Sequence, residues 1–476
     1  MSDRSTARKR HHGPAFRFAF SGPAALVALV VALRSVDAFA QEGQPIVAPP
    51  APSTAAPPVT AVTSPAAITT AADLAARAED PAATANDSAA ADAPPPTFLG
   101  SLWEAVSQGK PELDLRLRAE VVEQDFLDTA HAMTSRLRLG YGTRPFHGVS
   151  VYAEAEDIRA LDDDRYNAAG FNANPGKAAI ADIQDTELNQ GYVKYANELF
   201  TGIAGRQRIV LDDHRFIGNV GWRQNEQTFD ALTLRSDWLT DTSLFYGYVS
   251  DVNRVFGPDA DADFESDSHL LEATYRGLPC ADLTVFAYLF DFDDSPANSS
   301  NTYGFRATGS QEIVADLSLD WQGSYAHQYD AADNPFDYDA DYVLFEALLA
   351  KQGVGDGGVG YEFLGSDAAN FAFRTPLATL HAFNGWADVF TVTPAAGLQD
   401  LYLTAGAKLP CEFGLRGTFH WFWTDETNDE LGQEFDASVS KALSKHVRLL
   451  VKSAVFDGRS GLADLARYWL QMEISF

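Results

Sequence analysis

The closing stretch ARYWLQMEISF, positions 466–476, decides how the rest of the chain reads. Tyr468, Leu470, Met472, Ile474 and Phe476 fall on one parity, with Trp469, Gln471, Glu473 and Ser475 on the other. This period of two gives a strand one oily face and one wet face. A chain that stops on such a strand leaves a row of N–H and C=O groups in need of partners. Where hydrocarbon replaces water, the solution is to pair with the first strand and close a barrel. The edge strand of a soluble sandwich shows the same alternation, so strand number and loop asymmetry must separate the two.

Working back toward the N-terminus, the device recurs. In residues 112–124, Leu113, Leu115, Leu117, Ala119 and Val121 oppose Asp114, Arg116, Arg118 and Glu120. In 134–143, Leu137, Leu139 and Tyr141 oppose Arg136 and Arg138, and in 149–156 Val149, Val151, Ala153 and Ala155 oppose Tyr152, Glu154 and Glu156. Further strands are expected near 187–196, 201–211, 228–236, 242–252, 268–276, 282–291, 301–308, 312–326, 340–350, 358–364, 398–408, 412–423, 433–441, 447–457 and 466–476. The total is about 18, and an even number returns both ends to one side. Connections alternate: 145–148, 278–280 and 409–411 are brief, whereas 158–186, 254–267 and 329–339 are long and rich in Asp. Short turns on one rim and long loops on the other are the signature of an all-β, membrane-spanning, antiparallel up-and-down barrel over residues 98–476. At its start, Leu99, Leu102, Trp103 and Val106 have helical spacing and are expected to form a turn or two beneath the barrel.

Composition agrees. Among 476 residues, 35 Lys+Arg stand against 66 Asp+Glu, a formal charge of −31, which argues against nucleic acid as a partner. Aromatics at 12% suit interfacial girdles. Residues 1–40 join a basic start (Arg4, Arg8, Lys9, Arg10, Arg17) to an apolar run at 24–33 and the small-residue end Ala38-Phe39-Ala40, the form of a secretory signal peptide. Its removal takes six basic and two acidic residues and leaves 29 against 64. Residues 41–97, almost wholly Ala, Pro, Thr, Ser and Val, read as a disordered periplasmic tail. Cys280 and Cys411 each follow Leu-Pro in a short turn, and two free thiols are expected because a wide barrel holds the turns too far apart to bridge.

No enzyme signature is present: there is no Gly-x-Ser-x-Gly elbow, His-Glu-x-x-His pair or phosphate loop. No cofactor is implied. The acidic run Asp259, Asp261, Asp263, Glu265 and Asp267 fails the calcium-loop test, with Phe264 where Gly is needed and Leu270 where Glu is needed. The chemistry left is a set of cations on the inward parity: Arg116, Arg118, Arg136, Arg138, Arg206, Arg208, Arg416 and Lys452. In a narrow channel guanidinium groups attract carboxylates and grip them two-pronged, while Glu120, Glu154 and Glu156 either temper that grip or pair with the cations to stiffen the wall.

Several stretches carry a family resemblance: TELNQ at 186–190, GRQRI at 205–209, RFIGNVGWRQNEQTFD at 215–230, TPLATLH at 375–381 and NGWAD at 384–388. Together they resemble the alginate export family of outer-membrane porins. The resemblance implies an eighteen-stranded barrel with an Arg-rich pore passing an anionic polysaccharide or oligosaccharide, an alginate-like polyuronate. It places the barrel in the bacterial outer membrane, among lipid and lipopolysaccharide. Phe476 at the chain end resembles the terminal signal of such proteins, which implies the barrel-assembly machinery as a partner. Residues 218–230 read equally well as a structural corner, with Trp222 suited to an interfacial girdle and Asn225, Glu226 and Gln227 to capping loop backbone. The alternatives to an acidic-saccharide porin are a less selective small-solute porin and a surface adhesin or scaffold with Asp-rich loops.

Overall fold

The computed structural model describes residues 98–476 apart from 171, 173, 258–261 and 369. The expected signal peptide and Ala/Pro tail lie outside the described residues, as do Asp259 and Asp261. After a helix α1 (Phe98–Ser107) come the barrel strands β1 (Lys110–Gln124), β2 (Ala130–Gly142), β3 (Val149–Ala160), β4 (Asp185–Ala196), β5 (Thr201–Gln207), β6 (Thr228–Leu239), β7 (Thr242–Asn253), β8 (Phe264–Tyr275) and β9 (Asp282–Phe290). They continue with β10 (Ser300–Val314), β11 (Leu317–Asp330), β12 (Asp339–Lys351), β13 (Gly355–Leu364), β14 (Leu398–Leu409), β15 (Phe413–Trp423), β16 (Glu430–Ala442), β17 (Val447–Gly458) and β18 (Leu465–Ser475). Each pairs antiparallel with its neighbours in sequence, and β1 pairs with β18, closing one 18-stranded sheet.

The seam pairs oily row with oily row and polar row largely with polar row. Leu115 faces Ile474, Arg116 faces Glu473, Leu117 faces Met472 and Glu120 faces Trp469. Beyond the last strand, Phe476 still donates its N–H to the Leu113 carbonyl (2.9 Å) and accepts from the Leu113 N–H (3.2 Å). With the seam closed, neither side of the barrel presents an open edge.

Parity then sorts the two faces. Leu117, Leu139, Val151, Leu188, Phe345, Leu403 and Val455 are exposed on the outer wall, while Arg116, Arg118, Glu120, Arg136 and Glu156 are buried inside. So broad an oily exterior over a charged interior inverts the rule for a soluble protein and fits hydrocarbon outside. No described helix is long and apolar enough to cross a membrane.

Three local readings change. The turn expected between 308 and 312 lies instead at Ala315 and Asp316, because Gly309 pairs with Trp321 inside the β10–β11 ladder. A Cβ on Gly309 would sit 2.6 Å from the indole, so this glycine makes room for a ring rather than a turn. The strand expected to run to 211 ends at Gln207, where the chain turns into the bore. Helix α1 does not sit beneath the bore: its Val106 carbonyl accepts from the hydroxyl of Tyr141, which shares the outward row of Leu139. Both cysteines are free and exposed.

Leu117 lies near the middle of β1 on the outer face. Leu117→Arg is expected to cost about 2–4 kcal/mol in lipid, the penalty for a cation near the midplane. Urea unfolding of vesicle-reconstituted protein checks this; an unchanged midpoint would place that face in water.

Candidate functional site

Two loops from the long-loop rim, residues 208–227 and 365–397, fold into the bore and meet there. Gly218 donates its N–H to the Leu377 carbonyl (2.8 Å), and Thr379 donates to the His214 carbonyl (3.0 Å). Gln227 caps this backbone, its amide donating to the carbonyls of Gly218 and Leu377 at 2.9 and 3.2 Å. A Cβ on Gly218 would lie 2.2 Å from Thr379 Oγ1, so glycine is required for the loops to touch. Gly385 has the same duty toward the wall: its φ is +85°, and a Cβ there would lie 2.5 Å from the Glu434 carboxyl. In exchange, Glu434 accepts the Ala387 N–H (2.7 Å) and Asp436 accepts that of Trp386 (3.1 Å).

The inward Arg row holds the first loop. Arg116 Nη1 shares itself among the carbonyls of Gly221, Trp222 and Arg223 at 3.0–3.2 Å, while its Nε donates to Glu473 (3.1 Å). Arg118 donates to the Trp222 carbonyl (2.5 Å), pairs with Asp182 (3.4 Å) and lays its guanidinium 4.3 Å from the centre of the Trp222 ring. Arg138 pairs with Glu156 and, at 3.3 Å, with Glu226 of the loop. Arg136 pairs with Asp114, which offsets the Arg136 side chain standing directly across from Arg116. Glu120 pairs with Arg467 (3.1 Å) and Arg223 (3.6 Å), and Glu154 with Arg208 (2.7 Å).

At its other end the same loop reaches the far wall. Arg215 pairs with Glu362 of β13 (2.5 Å), and the Phe216 ring packs 5.0 Å from Phe286 and 5.2 Å from Tyr342. Residues 208–227 therefore strap the bore, fixed at Phe216 to β9 and β12 and at Trp222 to β1 and β18. The second loop locks the strap. Trp222 stacks on His381 at 4.5 Å and 5°, and Arg223 pairs with Asp388 (2.6 Å). Lys452 of β17 sits beneath, its Nζ 4.2 Å from the Trp222 ring centre and 3.7 Å from that of Trp386. Desolvated cation–π contacts of this kind are worth about 2 kcal/mol.

All the inward residues named from the sequence face the interior except Arg206. It shares the outward row of β5 with Ala204 and pairs with Asp230 on the row of the exposed Leu232 and Leu234, because its neighbour Gln207 takes the inward place beside Phe229 and Thr233. The structure divides the others. Arg116, Arg118, Arg136, Arg138, Lys452, Glu120, Glu154 and Glu156 are buried beneath the loops. Solvent reaches Arg206, Arg208 and Arg416, whose side chains are 28%, 23% and 24% exposed. Arg206 grips Asp230 with two prongs (2.9 and 3.1 Å), whereas Arg416 shares one Nη2 between both oxygens of Asp356 (2.9 and 3.1 Å). Arg416 also lines a recess of about 540 Å³, open mouth included, with Phe383, Trp386, Tyr402 and His420. Trp222 is inside, not in a girdle, because the strap carries it under the second loop. Sequence reading missed Arg215, Arg223, Arg467, His381 and Asp388; strand parity could have found only Arg467. Among the described residues no group of acids, His and Cys could hold a metal ion.

His381 is the titratable hinge of this packing. Its Nδ1 lies 2.7 Å from Asp388 Oδ1 and its Nε2 2.6 Å from Lys452 Nζ. A neutral ring satisfies both, donating to the carboxylate and accepting from the ammonium. Burial pulls its pKa down to about 3; the Asp388 carboxylate opposes this and the Lys452 charge adds to it. Burial pushes Asp388 upward, but His381 and Arg223 outweigh it and hold the carboxyl below its ordinary range.

A closed 18-strand barrel with an oily exterior and loops folded into a charged bore is the architecture of outer-membrane porins. The alginate export family matches residues 110–346, which bears out, over that stretch, the resemblance read from the sequence. The solved structures that share the fold include OpdL of Pseudomonas aeruginosa (15% identity, TM-score 0.60, 78% of this chain and 99% of that one). OccAB2 of Acinetobacter baumannii is similar at 14% identity and TM-score 0.62, covering 78% and 99%. So is OpdK of P. aeruginosa, determined with vanillate, at 14% and 0.59, covering 77% and 98%. At these identities the likeness is one of fold. No curated protein matches the chain in sequence.

Arg116→Ser leaves Glu473 without its guanidinium and three loop carbonyls without a donor, a loss of about 3–5 kcal/mol by analogy with other broken buried pairs. The strap is expected to come loose, read as higher and noisier single-channel conductance and as protease cleavage within 208–227; wild-type conductance would show that Arg116 does not hold it. Acid should act in the same direction. The folded His381 binds its proton less readily than the unfolded one, whose ordinary value is 6.5, so docking is at full strength above pH 6.5 and is lost as pH falls from there toward about 3. The limiting slope is about 1.4 kcal/mol per pH unit. Conductance recorded from pH 7 to pH 4 checks this, and His381→Gln should flatten the dependence.

Proposed function

We propose that the protein is a passive outer-membrane porin for carboxylate-bearing saccharides, an alginate-like polyuronate being the clearest case. The observation that carries this reading is the family match across 110–346, a stretch that includes Arg116, Arg118, Arg136, Arg138, Arg206 and Arg208. Charge chemistry supports it. Arg208 and Arg416 meet solvent while paired to carboxylates, so an arriving uronate exchanges one carboxylate for another at little net cost. The buried arginines and Lys452 contribute by holding the loops and by adding positive potential to their side of the bore. Glu120, Glu154 and Glu156 keep the local balance from becoming a trap for a polyanion.

A second reading, a porin for small carboxylates, is favoured by the strap itself. With 208–227 fixed at both ends a polymer needs the loops to move, whereas a small solute does not, and OpdK was determined with vanillate, a small aromatic carboxylate. Planar-bilayer recordings test both. Chloride is expected to be preferred over potassium, and Arg208→Ser with Arg416→Ser should reduce that preference. Cation preference in the native protein would overturn the anion reading, and a silent bilayer would favour the scaffold. Swelling of protein-loaded vesicles in monomeric against oligomeric uronate then separates the two porin readings.

A further inference from the structure

Helix α1 carries an apolar face that nothing in the described chain covers. Leu99, Leu102, Trp103 and Val106 recur at helical spacing with Phe98 beside them, and all five are exposed, Leu99 and Trp103 at 73% and 70%. Only Ala105 of the helix is buried, and Glu104 is its sole charged residue. Isolated apolar residues on a surface are ordinary, but a contiguous face of this kind marks an interaction surface.

Its position says what it meets. Tyr141 belongs to the outward row of β2, and its hydroxyl holds the Val106 carbonyl. Arg144, in the short turn after β2, donates its N–H to the Ala105 carbonyl (3.0 Å). The Phe98 ring sits edge-on to Phe146 of the same turn, 5.1 Å away. These three ties fix the helix along the outer edge of the short-turn rim, where the oily wall ends. Around that rim Phe200, Trp238, Ile313, Val354, Leu409 and Phe476 are exposed as well. The apolar face of α1 is thus continuous with the lipid-facing belt, at the height where aromatic side chains collect in membrane proteins.

We propose that α1 is an interfacial anchor, lying in the boundary between headgroups and acyl chains of the leaflet at the short-turn rim, with Trp103, Leu99 and Phe98 in lipid. The proposal rests on the membrane-barrel reading. Such a helix lies in the plane of the interface, held by buried apolar area rather than by spanning. Two residues separate it from β1, so it sets the height at which the first strand enters the bilayer.

The test uses the full chain with Cys280→Ser and Cys411→Ser, a fluorescent environment-sensitive label at Trp103→Cys, and phospholipid vesicles. Expected is blue-shifted emission, quenched several-fold more by lipids carrying a doxyl group than by iodide in the buffer. Preferential quenching by iodide would overturn the proposal. Protection from both quenchers would overturn it too, since protein and not lipid would then cover the helix. Leu99→Cys serves as a second site should Trp103→Cys fail to fold. A label at Val151→Cys on the outer wall of β3 separates the two levels of inference: if that position escapes the doxyl lipids, the membrane-barrel reading fails, and with it the ground for the anchor.

Discussion

A peptide group in hydrocarbon has no water to turn to, so a strand that enters a bilayer must find a neighbour on both sides. The pairing of β1 with β18 satisfies the last two rows, and much of the rest follows from it. Closure divides every strand into an outward and an inward parity. The outward set meets lipid and carries Leu, Val and Phe. The inward set is shut inside a narrow space where the dielectric is low, and its charges have to find partners there. That is why the interior of β1 and β2, with four arginines on neighbouring rows, is also lined with Asp114, Glu120, Glu156 and Glu473.

Carboxylates alone do not use every donor on those guanidinium groups. The remainder is taken by loop backbone: three consecutive carbonyls of the strap on Arg116 and one on Arg118. A loop laid across a polar bore has the converse need, since its own peptide groups lose water when the second loop covers them. Strap and wall thus satisfy each other. Lys452 shows the same logic in aromatic form, with its ammonium placed against indole faces and the lone pair of a neutral His381 instead of a carboxylate. Loosening any one of these contacts exposes the others to water, so the strap is expected to release as a unit.

The barrel was legible in the sequence because its signal is local and repeated. Alternation in 466–476 and 112–124 fixes which face each residue takes, and each of the eighteen strands overlaps a stretch that such alternation marks. The same signal was read too far at 201–211, where apolar residues continue past Gln207 into the strap, and misread at Gly309, which looks like a turn until Trp321 is seen above it. The site was half legible. Parity assigned the arginines to the interior, but parity cannot say whether water or protein covers them. Arg116 meets carbonyls more than a hundred positions away, and no periodicity links the two. Trp222 has the residue type of a girdle and the position of a core; only the fold of the strap decides. Composition held one clue, for 208–227 and 365–397 carry Trp, Phe and amide side chains where the stretch at 254–267 is rich in Asp.

The central claim is that the inward arginines hold two loops across the bore as firmly as strands hold one another. Amide hydrogen exchange on the native protein in lipid nanodiscs measures this without altering a residue. Peptides covering 218–227 and 377–388 are predicted to exchange on the slow timescale of β1 and β18 and far more slowly than the turn at 240–241. Exchange in those peptides as fast as in that turn would mean that the strap is not docked and that the Arg row faces open water.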